Sequence, residues 1–202
     1  PYPGRWEGRL EKTLMQAFPG YAGVRIYSHP SVALEALGVA IADVVDPLDL
    51  PADSSVTDAS ALWGRFLLEN HPAARALLPV MPVSGLADVQ PVLFRDGAEP
   101  SRPSEVISPI VLAALTRAVL PLRDAAGVLE ARKLPFPAES SDIWERRGPY
   151  MLFRGEESDY PALFDNMFDN RILIAPSATR PSLFPARPSE KEARLILRGG
   201  RN

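Results

Sequence analysis

The chain has 202 residues, a formal net charge of −3 and no cysteine. That charge leaves no basic footprint for nucleic acid, and the missing cysteine excludes disulfides, thiolate catalysis and cysteine metal sites. An apolar share of 46% and a charged share of 23% are those of an ordinary globular chain long enough to bury a core. No apolar run approaches the ~20 residues of a membrane span, and Pro1 to Trp6 shows no charged segment leading into an apolar one. A cytoplasmic protein with neither a membrane nor a nucleic-acid partner is expected. The 22 prolines, roughly twice the usual ~5%, are scattered between periodic segments. They predict stiff loops and sharp helix ends rather than a polyproline tract.

Trp6 to Ala17 has helical spacing, with Trp6, Leu10, Leu14 and Ala17 on one face. Phe18-Pro-Gly20 ends that helix. Gly23 to Tyr27 reads as a strand, and Ser28-His-Pro-Ser31 as a sharp polar turn in which Ser28 or Ser31 can cap. Val32 to Val44 then reads as an amphipathic helix. A strand that feeds a helix through a polar turn can bind an anion with the first helical amides; Ser31 acting only as a cap is the alternative.

Asp46 to Thr57 is a proline, aspartate and serine loop. Asp58 to Asn70 reads as a helix burying Ala61, Leu62, Phe66 and Leu67, followed by a helical turn at Ala73 to Leu78. Val80 to Val83 and Val89 to Arg95 read as strands, with Pro82 and Pro91 placing at least one of them at a sheet edge. After a loop at Asp96 to Ser104, Glu105 to Arg123 is a helix apolar on nearly every side. Asp124 to Arg147 is irregular or partly helical. The end of the chain reads as a strand at Tyr150 to Phe153, a helix at Tyr160 to Phe168, a buried strand at Ile172 to Ala175 and a helix at Glu190 to Leu197. Leu163, Phe164, Met167 and Phe168 are expected to face in. Alternating strands and helices give an α/β or α+β class.

Signatures of chemistry are sparse. No glycine-rich phosphate loop and no Gly-x-Ser-x-Gly elbow occur. His29 and His71 each precede a proline and lack acidic partners at ligand spacing, so no metal is expected. Asp46/Asp49, Glu156/Glu157 and Asp165/Asp169 are close carboxylate pairs that read as solvated faces rather than acid/base pairs. Lysine occurs only at Lys12, Lys133 and Lys191.

Several pieces, in order, resemble a family. Phe18-Pro-Gly-Tyr-Ala-Gly-Val-Arg-Ile-Tyr-Ser28, the Ser28 to Ala36 turn and helix, Ser108-Pro-Ile-Val-Leu-Ala-Ala114, and Arg171-Ile-Leu-Ile-Ala-Pro-Ser177 before a final helix resemble fold-type I pyridoxal-phosphate-dependent aminotransferases. The likeness is to class III, the glutamate-1-semialdehyde aminotransferase-like group, and covers about half of the chain in fragments. It implies a reduced aminotransferase-like sheet with flanking helices over residues 1–148 and a small α+β C-terminal domain over 149–202.

It also implies a homodimer and a cofactor-phosphate turn at Ser28, His29 and Ser31. Asp96 would stand where the family's aspartate meets the pyridine nitrogen. Arg180, in the loop after the penultimate strand, is the candidate to grip a substrate carboxylate, since a guanidinium matches it bidentately; a surface salt bridge is the alternative. The departures are specific. Pro30 removes one turn amide, the family's glycine there is gone, and no lysine lies between Asp96 and Ser108 to form a Schiff base. Lys133 comes after the helix. The leading expectation is a catalytically degenerate aminotransferase-like protein, with no cofactor, that keeps a small-molecule or anion pocket or a dimer interface. An active pyridoxal-phosphate enzyme using Lys133 or a partner chain's lysine, and an unrelated α/β binding or interaction module, are the alternatives.

Overall fold

The computed structural model describes residues 3–50, 59–68, 74–82, 88–131, 142–184 and 189–199. Most of the Asp46 to Thr57 loop, His71, Lys133, the Ser84-Gly85 connection and the Leu134 to Pro137 run lie outside the described residues. The chain divides into two compact units, Pro1–Val128 and Leu129–Asn202.

In the first unit, helix α1 (Pro3–Ala17) leads to strand β1 (Gly23–Tyr27) and helix α2 (Pro30–Leu37). Strands β2 (Val44–Val45), β3 (Ala59–Gly64), β4 (Ala74–Pro79) and β5 (Gln90–Phe94) precede the long helix α3 (Pro109–Ala131). The five strands form one mixed sheet in the order β1-β5-β4-β3-β2. The β1–β5 and β5–β4 pairs are antiparallel, while β4–β3 and β3–β2 are parallel.

Side chains alternate between the sheet's two faces with period two. Ile26, Leu62, Leu77 and Leu93 join Leu10, Leu14, Leu112 and Leu115 of α1 and α3 in one core. Tyr27, Ala61, Ala76, Leu78 and Val92 join Ala33 and Leu34 of α2 in the other. Helices thus cover both faces of the sheet. Fully burying one such leucine contributes about 1.5–3 kcal/mol.

Five expectations are corrected in this unit. The helix expected at Asp58 to Asn70 and the helical turn expected at Ala73 to Leu78 are replaced, in their described parts, by β3 and β4. Both strands lie inside the sheet with both faces covered, so their apolar runs lose the alternation that marks a half-buried strand. Helix α2 stops at Leu37, not Val44, because Gly38 takes the left-handed conformation (φ 67°) and donates back to Glu35 and Leu34. Val80 to Pro82 form no strand. Helix α3 starts at Pro109 rather than Glu105, and Pro121 lies within it without ending it.

The second unit holds β6 (Trp144–Arg147), β7 (Tyr150–Phe153), α4 (Tyr160–Asp169), β8 (Ser182–Leu183) and α5 (Glu190–Leu197). The strands form an antiparallel sheet ordered β6-β7-β8. The point between residues 148 and 149 falls inside the β6–β7 hairpin. Trp144, expected in irregular chain, begins β6, and its Nε1 donates to the Ile196 carbonyl at 2.9 Å. Ile172 to Ala175, expected as a buried strand, forms no ladder, and Leu173 is 79% exposed. Its polar groups are served individually: the Ala175 amide donates to Ser182 Oγ and Tyr160 Oη donates to the Ala175 carbonyl. Met167 is buried as expected, but Phe168 is 63% exposed, since the residue after a buried one on a helix turns about 100° away. Helix α5 opens on a reciprocal capping box between Ser189 and Glu192.

Candidate functional site

The Ser28 to Ser31 turn forms where β1 ends and α2 begins. β1 is an edge strand of its sheet, and residues 101–105 cover it. The Ile26 amide donates to Ser104 Oγ at 3.1 Å, and the Glu105 amide donates to the Ile26 carbonyl at 2.8 Å. Ser101 donates from its amide to the Ala36 carbonyl, and Tyr27 Oη donates to the Arg102 carbonyl. Arg102 also pairs with Glu35 of α2 at 2.6 Å. Pinned this way, the segment brings Glu105 onto the turn. Its Oε2 accepts from the Ser28 amide at 2.7 Å and from the Ser28 hydroxyl at 2.6 Å.

Those two bonds, the hydroxyl's first, hold the Glu105 carboxyl below the usual glutamate range, with Arg102 adding to the effect. His29 is the residue that caps α2. Its Nδ1 accepts from the Ser31 amide at 3.2 Å and lies 2.8 Å from Ser31 Oγ. The Val32 and Ala33 amides donate to the His29 carbonyl. Pro30 has no amide to offer. The donors that would cradle an anion are therefore engaged, and the anion on Ser28 is the chain's own carboxylate. A phosphate dianion does not fit this arrangement, because it would share Ser28 with a charged carboxylate.

Sequence reasoning missed Glu105, which it placed in the first turn of a helix. The available signal was Pro103, which disfavours helix at Arg102, together with the Ser108-Pro109 pair that starts α3.

Asp96 lies in the exposed Arg95 to Ala98 turn, where Gly97 has a φ of 75°. In the antiparallel β1–β5 ladder, Tyr27 faces Gln90 and Gly23 faces Phe94. Ser28 leaves one end of the ladder and Asp96 the other, roughly 20 Å apart at ~3.3 Å per residue. The structure brings Ser28, His29 and Ser31 together and leaves Asp96 away from them. Arg180 belongs to the second unit, in an exposed turn where its amide donates to the Ser177 carbonyl. Its guanidinium has no ion pair among the described residues. A cavity of about 480 Å³ in that unit is lined by Asp142, Phe153, Asp159, Leu163 and Asn166, among others, but not by Arg180.

Of the carboxylate pairs, Asp46 forms an ion pair with Arg65, whereas Glu156, Glu157, Asp165 and Asp169 are exposed. No group of three or more metal-ligating side chains occurs among the described residues. No helix among them is long and apolar enough to cross a membrane.

No protein-family model and no curated protein matches the sequence. Solved structures do match. Ornithine δ-aminotransferase of Plasmodium falciparum is 11% identical with a TM-score of 0.53, over 96% of this chain and 76% of that one. Ornithine aminotransferase of Plasmodium yoelii is 12% identical with a TM-score of 0.54, over 96% and 77%. The enzyme of Toxoplasma gondii is 12% identical with a TM-score of 0.51, over 96% and 75%. At such identity the likeness concerns the fold, and on that ground the chain has an α/β, aminotransferase-like fold.

Proposed function

We propose that this chain is a catalytically degenerate aminotransferase-like protein whose anion-binding turn is closed by an internal carboxylate. The observation that carries the reading is Glu105 Oε2 accepting from both the amide and the hydroxyl of Ser28. The separation of Asp96 from that turn along the β1–β5 ladder supports it. So does the spacing of lysines, with none between Asp96 and Ser108. In this reading the first unit is the shortened core and the second the small C-terminal domain. With Glu105 removed, the Ser28 amide and hydroxyl are freed for a small anion, with His29 and Ser31 beside them, and Arg180 is a carboxylate contact of the second unit. The class III subgroup, a homodimer and a cytoplasmic location belong to the same proposal.

Pyridoxal phosphate is the cofactor to test, since the resemblance implies it. The purified chain is mixed with it, reduced with borohydride and mapped by peptide mass spectrometry. Scattered substoichiometric labelling of the three lysines, with no conversion of an amino donor, is expected. A stoichiometric adduct on Lys133 with turnover of a donor would establish the active-enzyme alternative instead. Glu105→Ala should bring inorganic phosphate onto Ser28, read as shifts of the Ser28 and His29 amides by NMR. Sedimentation velocity tests the dimer.

A further inference from the structure

On the opposite face of the sheet from α2, the exposed sides of α1 and α3 enclose a groove of about 640 Å³. That volume lies within the ~300–1,000 Å³ range of small-molecule sites. Its apolar lining comes from Trp6 on α1 and from Ala113, Ala114 and Leu120 on α3. Its charged lining is of one sign: Arg9, Lys12 and Arg117. None of these three has an ion pair among the described residues.

The pattern on α1 explains the single sign. Arg5, Arg9, Lys12 and Gln16 recur at spacings of four, three and four, which places them on one helical stripe. The acids of α1, Glu7 and Glu11, fall on the other side of the helix at 100° per residue, where Glu11 interacts with Arg25 of β1. The polar neighbours of the groove cannot neutralise it. The Thr13 and Thr116 hydroxyls donate to the Arg9 and Leu112 carbonyls of their own helices. Gln16 Oε1 accepts from Arg123, whose other nitrogens hold Asp124. Arg9 stacks on Trp6 with its guanidinium carbon 4.8 Å from the ring centre, which sets a cation against the aromatic wall. Three like charges beside an apolar floor repel one another, and a single anion with an apolar body would relieve that repulsion while covering the floor.

We propose that the α1–α3 groove binds a small anionic amphiphile, its carboxylate held by Arg9, Lys12 and Arg117 and its apolar body laid against Trp6, Ala114 and Leu120. The proposal does not depend on the aminotransferase-like reading, because no residue of the Ser28 turn takes part. A bare inorganic anion would use the cations but not the floor, and a neutral chain would use the floor but not the cations.

The test titrates the full chain with decanoate, following calorimetry and tryptophan emission, with Trp6→Phe assigning the emission change. One decanoate per chain is expected, with decanol of the same length binding at least about 10-fold more weakly, because it lacks the charge that the three cations hold. The triple variant Arg9→Gln/Lys12→Gln/Arg117→Gln should lose at least that factor while keeping its circular dichroism. Ala114→Trp, which fills the floor, should abolish binding with all three cations present. Equal binding of decanol and decanoate, unchanged affinity in the triple variant, or no heat at millimolar decanoate overturns the proposal. So would binding of an acidic peptide that decanoate fails to displace.

Discussion

Glu105 and Ser28, 77 residues apart in sequence, share two hydrogen bonds through a single carboxylate oxygen. Both bonds favour the charged form, so the folded carboxyl titrates below its unfolded value. The sign follows directly. A carboxyl depressed on folding stabilises the protein above its unfolded pKa, and that contribution is lost as pH falls through the folded pKa. Chemical denaturation from pH 7 into the acid range should show this loss, and Glu105→Gln should flatten that part of the profile. Glu192, depressed by its capping bonds to Ser189, acts with the same sign. The double variant Glu105→Gln/Glu192→Gln should flatten the acid limb further. An acid limb identical to the parent's would remove Glu105 as its source.

Gln90 holds two prolines together. The β4–β5 ladder pairs Ala76 with Phe94 and Leu77 with Leu93. Carried on, it sets Pro79 opposite Pro91, and neither has an amide to donate. The buried Gln90 side chain supplies the missing donor, giving its Nε2 hydrogens to the Pro79 carbonyl at 3.1 Å and the Pro91 carbonyl at 2.8 Å. Gln90→Leu should destabilise the chain by at least ~2 kcal/mol, because each buried carbonyl left unpaired costs about 1–3. Gln90→Glu should be worse at pH 7, where an ionised carboxylate only accepts, and should recover partly in acid, where the protonated form donates. Urea titrations at two pH values distinguish the cases.

This pair of prolines also shows what the sequence could and could not reveal. Pro91 suggests an edge strand, yet β5 lies inside the sheet, between β1 and β4. The local rule is sound, but a glutamine next to the proline satisfies the condition behind it. Helices α1, α4 and α5 and strands β1, β5 and β7 could be read directly because each carries its own period and stop signals. β3 and β4 could not, since Ala and Leu buried on both faces have no strand period. The site was half legible. Ser28, His29 and Ser31 stand out as a polar turn between a strand and a helix. Glu105 reaches them only through long-range bonds to β1, and the distance of Asp96 depends on an antiparallel register that no local pattern encodes.

Asp46 and Arg65 tie the exits of the parallel strands β2 and β3. Arg65 offers Nε to Oδ1 at 3.0 Å and its terminal nitrogen to Oδ2, while Oδ1 also accepts from the Leu48 amide at 3.0 Å. Both side chains are more than four-fifths buried, at 17% and 18% exposure. Removing one partner leaves a largely desolvated charge, so Asp46→Ala should cost about 2–3 kcal/mol. Arg65→Lys keeps the charge but not the two-pronged geometry and should lose roughly half of that. Equal stability of Arg65→Lys and the parent in urea titration would mean that charge alone sustains the contact.

Gly64 ends β3 opposite Pro79 and accepts from the Val80 amide at 2.8 Å. A methyl added there would overlap Cδ2 and Cγ of Leu77 and press on the Phe18 ring at 3.3 Å. Two effects of alanine oppose each other. Replacing glycine within a strand gains about 0.5–1 kcal/mol of backbone entropy. Forcing a methyl into a packed core costs about 1–3. Leu77 is fully buried and Phe18 nearly so, with Phe66 4.9 Å from the Phe18 ring, so neither side chain has room to yield. Overlap should win, and Gly64→Ala should be net destabilising. Leu77→Ala alone should cost ~2–5 kcal/mol through the cavity it leaves. In the double variant the new methyl enters that cavity, so the two costs should fall short of their sum by about 0.5–3 kcal/mol. Additive costs in a double-mutant cycle by urea denaturation would show that Leu77 is not what excludes a side chain at position 64.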